Sequence, residues 1–214
     1  FKRILTSIVI LPLSIFFIAK GGNYIVSFLY AILILANFEA FSVFKRKLSI
    51  IFLDVTLVFA LLTILFLRND TISSYVLLIW IIILTVFSDI GGYVFGKLFK
   101  WKKLTKISPN KTVSGALGSY FFSLLSVFVI ALIAKLFSNL DFNFFIKIRY
   151  FVLAIILSTA AQIGDLTISY LKRLEKIKDT GKFLPGHGGI FDRIDSLMFV
   201  VITGYILYIF KLFP

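Results

Sequence analysis

SYLKRLEKIKDTGKFLPGHGGIFDRIDS, residues 169–196, holds ten charged residues among its 28, together with a glycine cluster, a proline and the chain's one histidine. Six cations (Lys172, Arg173, Lys176, Lys178, Lys182, Arg193) stand beside the acids Asp179, Asp192 and Asp195. Such a mixture can bind a polyphosphate and a metal ion together. Everything around it is apolar, which makes the remainder of the chain its mounting.

The 214 residues are 60% hydrophobic, with mean hydropathy +1.03. A soluble domain averages roughly 45–50% apolar, so the composition indicates a membrane protein. The absence of cysteine excludes disulfides, thiolate zinc sites and cysteine nucleophiles, and a single histidine excludes a His-rich metal site. The net charge of +13 would suit a nucleic-acid partner. Its cations, however, cluster between apolar segments, where orientation in a membrane and phosphate binding account for them better, and no nucleic-acid partner is expected.

About seven apolar segments approach the roughly 20 residues that a helix needs to cross a bilayer. They fall at residues 4–19, 24–44, 48–67, 72–95, 115–136, 148–163 (continuing as an amphipathic helix toward Arg173) and 194–210. The first, led by Lys2 and Arg3, imitates a signal peptide but has no small-residue cleavage site, so a retained helix is expected. Continuous rather than alternating hydrophobicity argues against a β-barrel. The expected fold is an all-α, polytopic integral membrane bundle forming a single domain over 1–214. With seven spans, 17 of the 23 lysines and arginines lie on the side that holds the N-terminus and both long polar loops. The positive-inside rule places that side in the cytoplasm of a cell (inner) membrane, with the two loops forming the site.

Asp165, Ser169 and Lys172 are spaced to share one helical face. A carboxylate there needs a cation, a metal or water, and a plain Asp165–Lys172 pairing would also satisfy it. In Leu184-Pro185-Gly186-His187-Gly188-Gly189, glycines allow backbone N–H groups to approach an anion. A hairpin between helices is the blander reading, and the Walker spacing is missing. His187 is a candidate contact to phosphate or sugar. Asp192 and Asp195, at i and i+3, can point the same way and hold a divalent cation, although Asp192 can instead cap the last helix while Arg193 meets a lipid headgroup. Magnesium, which keeps waters and takes one or two carboxylates plus substrate phosphates, suits so sparse a set.

The loop 97–112 adds six lysines and leads through Ser108, Lys111 and Thr112 into a glycine-bearing helix start, a candidate phosphate seat. Lys100, Lys102 and Lys103 read better as a basic surface against anionic lipid. Asp89, an acid inside an apolar segment, is a functional candidate, and the Gly92/Gly96 pair beside it has the spacing for close helix packing. Glu39 and Asp54 are also intramembrane acids, but they lack glycine or basic company and receive no role.

The run S-x-L-K-R-x-x-x-x-K-D-T-G-x-x-L-P-G-H-G-G-I-x-D-R-I-D over 169–195 resembles the C-terminal signature of phosphatidate cytidylyltransferases, also called CDP-diacylglycerol synthases. Gln162-x-Gly164-Asp165-Leu166, Ser88-Asp89 with Gly92-Tyr93-x-x-Gly96-Lys97, Ile107-Ser108-Pro109-x-Lys111-Thr112 and Arg3-Ile4-Leu5-Thr6 are similar to that family as well. The likeness runs along nearly the whole chain, which is short for the family. Two positions depart from the common pattern. Ile168 and Ser114 stand where many members carry glutamate, so any contact made by those glutamates is absent here.

The resemblance implies CMP transfer from CTP to phosphatidate, giving CDP-diacylglycerol and pyrophosphate, with magnesium as cofactor and potassium as a candidate second cation. Repulsion between two anionic phosphates is the main obstacle, and metal ions and lysines neutralise it. Asp165, Asp192 and Asp195 are expected to form the metal centre. Lys172 and Arg173 stabilise phosphate charge, and Ser108, Lys111 and Thr112 with Gly186, His187, Gly188, Gly189, Arg193 and Asp89 contact substrate. Phosphatidate would arrive from among the membrane lipids, and a homodimer is the family expectation. Rival readings are transfer to another lipid phosphate, an impaired paralogue, or an ion path through Asp54, Asp89 and Asp165.

Overall fold

Inside a bilayer no water satisfies an exposed backbone, so a long apolar run closes its hydrogen bonds within itself as a helix. The computed structural model describes residues 12–69, 71–138, 146–181 and 188–213. In these, helical residues 12–20 are followed by α1 (Gly22–Val43), α2 (Lys47–Asn69), α3 (Ile72–Phe99), α4 (Val113–Ser138), α5 (Ile148–Leu174) and α6 (Phe191–Ile209). An isolated bridge between Lys103 and Thr112 is the one β-type pairing between named residues, and no strand forms among the described residues.

The helices α1 to α5 are long and apolar enough to cross a membrane. The 19-residue α6, whose first turn carries Asp192, falls where the seventh span was expected and is not among these five. Most of the first expected span lies outside the described residues. The expected amphipathic continuation toward Arg173 is not a separate piece, because α5 runs unbroken to Leu174. Phe38, Phe41, Leu48, Phe59, Leu132 and Ile148 are all exposed. Such large apolar side chains on the perimeter of a helical bundle are suited to lipid rather than water.

Trp80, Ile81, Leu84, Leu157, Val200 and Val201 fill the centre, where α3, α5 and α6 meet. In lipid, helices associate through close backbone approach and short polar contacts rather than through hydrophobicity. Both devices hold α3 to α4. A Cβ on Gly91 would lie 2.3 Å from the Gly118 carbonyl oxygen, and one on Gly118 would lie 2.4 Å from the Gly91 oxygen. Higher up, Gly92 and Gly96 face Gly115, so the expected close packing extends over more glycines than the Gly92/Gly96 pair. Ser119 Oγ donates to the Ser88 carbonyl at 2.8 Å, and Trp80 Nε1 donates to Ser126 Oγ at 3.0 Å.

The same end of the bundle collects the α1–α2 turn, the α3–α4 loop and the α5–α6 connection. Glu175, just past α5, accepts from the backbone N–H groups of Lys45 and Arg46 at 3.2 and 3.0 Å and so caps the start of α2. Arg173 Nε donates to the Ile107 carbonyl at 3.3 Å, tying the α3–α4 loop to the end of α5. At the opposite end Arg68 donates to the carbonyls of Ile18 and Ala19, closing the helical residues 12–20.

Candidate active site

Five elements build this end of the molecule. The close contact of α5 with α6 is set at Gly164, where a Cβ would lie 2.7 Å from the Asp195 carbonyl oxygen and would press on the Phe199 ring. One residue later, Asp165 forms an ion pair with Lys111 and accepts from Ser169 Oγ at 3.3 Å. Lys111 therefore brings the α3–α4 loop to the α5 face expected to carry chemistry.

The α3–α4 loop is held by its own backbone. Leu104 N–H donates to the Lys111 carbonyl, Lys111 N–H to the Ser108 carbonyl, and Val113 N–H to the Lys102 carbonyl. Ser108 N–H donates to Thr105 Oγ1. Thr112, expected to contact substrate, caps α4: its Oγ1 accepts from Gly115 N–H at 3.0 Å and pairs with Ser114 Oγ. A hydroxyl just ahead of a helix is well placed to satisfy an orphan N–H, and it takes that partner here. Ser114, one of the two departures from the family pattern, is buried in this cap.

Asp192 and Asp195 part company. Asp192 accepts from Lys172 Nζ at 2.7 Å, from Thr180 N–H at 2.8 Å and from Gly189 N–H at 3.0 Å. Burial pushes this carboxyl up, but the bonds from Lys172, Gly189 and Thr180 outweigh it and hold the group below the usual carboxylate range. Gly188, at φ 86°, supplies the left-handed turn into this contact, and a Cβ there would lie 2.7 Å from Asp192 Oδ2. Asp195 instead lies within electrostatic reach of both Asp165 and Asp89, and Asp89 is hydrogen-bonded by the Ser196 side chain. Ser196 N–H donates to Asp195 Oδ1 at 2.8 Å.

Within the expected metal set of Asp165, Asp192 and Asp195, the three carboxylates have different protein partners. Asp192 spends its oxygens on Lys172 and two backbone amides, because it sits in the first turn of α6 where the incoming loop folds over it. Among the described residues, no three acid or histidine side chains form a group that would hold a metal by themselves. Asp89, Asp165 and Asp195 lie within electrostatic reach of one another. A set of hard carboxylate oxygens whose charges repel fits a divalent cation, and magnesium needs only one or two of them when substrate phosphates complete its shell.

Of the remaining candidates, Arg173 is exposed and joins the two loops, donating also to the Ile177 carbonyl at 3.0 Å. Arg193 is exposed, and its charge reaches Asp89. Gly189 is buried against Thr180 and Glu39. Gly186 and His187 lie outside the described residues. Ile168 is fully buried in the hydrophobic core, so that departure packs the bundle.

Sequence reasoning left Glu39 without a role, yet it is 1% exposed and fully engaged. It accepts from Thr180 Oγ1 at 2.6 Å, from Ile190 N–H at 2.7 Å and from Phe191 N–H at 3.1 Å. The one available signal was its cost. An acid in an apolar helix requires a partner, and none lies nearby in sequence.

A basic loop and a carboxylate-bearing helix pair, joined where several helices end together, can hold a polyphosphate against a membrane surface. The profile of the Cytidylyltransferase family matches residues 46–211. Proteins named phosphatidate cytidylyltransferase are similar to this chain. The one from Helicobacter pylori is 42% identical over 125 residues, 58% of this chain and 44% of the relative. That from Staphylococcus epidermidis is 40% identical over 126 residues, again 58% and 44%, and that from Staphylococcus saprophyticus 45% over 115 residues, 53% and 42%. The matches thus span less than half the length of these relatives. With the family profile covering most of its length and the acid- and lysine-bearing loops folded together, the chain belongs to the cytidylyltransferase family.

Proposed function

We propose that this chain, as a single membrane-embedded unit, transfers the CMP moiety of CTP to phosphatidate, giving CDP-diacylglycerol and pyrophosphate. The observation that carries the reading is the juxtaposition of Lys111 with Asp165 and of Lys172 with Asp192, at the end of the bundle where the polar loops gather. An ionised phosphate oxygen of phosphatidate attacks the α-phosphorus of CTP. The bond from that phosphorus to the bridging oxygen breaks, and pyrophosphate leaves with the electron pair. The nucleophile is already ionised at neutral pH, so the chain must supply positioning and charge rather than a strong base.

Lys111 offers its ammonium to a phosphate from the α3–α4 loop, and Lys172 does so from α5. Asp165 and Asp195 would hold magnesium, with Asp89 beside them, and the ion when bound neutralises charge on the triphosphate. Asp192 orders the loop that covers this end of α6. The site faces the cytoplasm in this reading, as the lysine and arginine bias supports, and phosphatidate reaches it sideways from the bilayer. The homodimer and a potassium ion beside magnesium are carried in the proposal as family expectations. The test is incorporation of labelled CTP into lipid by purified protein in vesicles, with and without magnesium, with phosphatidate against polyprenyl phosphate as acceptor. Absence of label in lipid with either acceptor sinks the reading, and preference for polyprenyl phosphate moves it to another lipid.

A further inference from the structure

Glu39 lies in the last turns of α1, ahead of the residues matched by the family profile. The C-terminal end of a helix is its negative end, an unfavourable place for a buried carboxylate. The start of α6 has the complementary deficiency. Its first amides carry partial positive charge, and the residue preceding it, Ile190, has no side chain to cap them. Glu39 fills that vacancy from another helix, accepting from Ile190 and Phe191 N–H, while Thr180 Oγ1 donates to it from the far side of the connection.

The two flanks of the α5–α6 connection are therefore stapled twice. Glu39 joins Thr180 to Ile190 and Phe191, and Asp192 joins Thr180 N–H to Gly189 N–H. The fit is tight. A Cβ on Gly181 would lie 2.9 Å from Glu39 Oε2, and one on Gly189 would lie 2.3 Å from Glu39 Oε1. Both glycines thus leave room for the carboxylate. A glutamine cannot replace the glutamate silently, because all three partners donate and its NH₂ would face a donor.

We propose that Glu39 is a positioning residue for the nucleotide site. It acts through Thr180 and the first turn of α6 to hold Asp192, and with it Lys172, where the triphosphate of CTP is received. The assignment of CTP rests on the function proposed above, whereas the staple itself does not.

The experiment uses the full chain in lipid nanodiscs and has two arms. In the first, without nucleotide, hydrogen exchange is followed over residues 178–191 in wild type, Glu39→Gln and Thr180→Val. Exchange there is expected to rise about tenfold or more in both variants while α3 and α4 keep their protection. Unchanged exchange overturns the proposal whether or not the protein is active. In the second arm, KM for CTP is expected to rise about tenfold in Glu39→Gln, with KM for phosphatidate near wild type and partial recovery in Glu39→Asp. A loss confined to maximal rate, with both KM values unchanged, would mean only a smaller folded fraction and would overturn the positioning role. Glu175→Gln, which uncaps α2 instead, serves as the control and keeps the wild-type KM for CTP. Should Glu39→Gln not fold, Thr180→Val carries both arms. Wild-type protein that never turns CTP over fails the proposed function, and the exchange arm then decides the staple alone.

Discussion

Lys172 Nζ lies 2.7 Å from Asp192 Oδ1, and the two side chains are only 11% and 8% exposed. Removing one member of such a pair leaves the other charged and shielded, which typically costs 3–5 kcal/mol in a fully buried setting. With some solvent access, Asp192→Asn or Lys172→Met is expected to cost about 2–4 kcal/mol. The double variant should lose much less than the sum. Unfolding in detergent across the four-member cycle measures this, and strict additivity would mean that the pair is not coupled.

Asp192 and Asp195 should separate by their response to magnesium. Asp195 lies within electrostatic reach of Asp165 and Asp89, so Asp195→Asn is expected to lower CTP incorporation about 100-fold and to raise the magnesium concentration needed. Asp192→Asn should impair turnover without moving the magnesium requirement. Titrating magnesium against turnover in both variants distinguishes them, and a shift in Asp192→Asn alone would return that residue to the metal.

The Asp192 carboxyl also has a pH signature. Its folded pKa is depressed, so its stabilisation is fully present above the unfolded value of about 3.9 and is lost as pH falls through the lower folded value. The difference in Tm between wild type and Asp192→Asn is therefore expected to be constant near neutrality and to shrink below about pH 4. A difference that persists undiminished to pH 3 would contradict the hydrogen-bonding account.

Gly118 has no room for a side chain, because a Cβ there meets both the Gly91 carbonyl and the Phe95 ring. Gly118→Ala is expected to cost roughly 1–3 kcal/mol by forcing α3 and α4 apart. Turnover should fall with it, since Lys111 reaches Asp165 from the loop that joins these helices. Thermal unfolding with parallel activity checks this, and a neutral Gly118→Ala would show that the contact is slack.

Five of the spans were readable because their apolar runs are long enough to have one outcome in lipid, and the polar loops followed from what lay between. Asp165 with Ser169 was readable from helical spacing, which survives folding unchanged. The partners of Asp192 were not readable, for a related reason. Spacing places it on a face but says nothing of Thr180 and Gly189, whose amides turn toward it only in the folded connection. Thr112 was legible as part of a helix start, yet not as its cap. Glu39 was the least readable. Its partners lie 141 to 152 residues further along the chain, and no local pattern encodes a contact of that range.

That separation has a consequence for biogenesis. A ribosome delivers Glu39 to the membrane long before Thr180 and Phe191 exist, so the carboxylate must wait at the end of α1 without its three donors. Glu175, arriving just before them, finds the amides of Lys45 and Arg46 already waiting. The end of α1 and the start of α6 are thus latched to each other only after the α5–α6 connection has been made. The cap of α6 is therefore assembled from a segment made well before it.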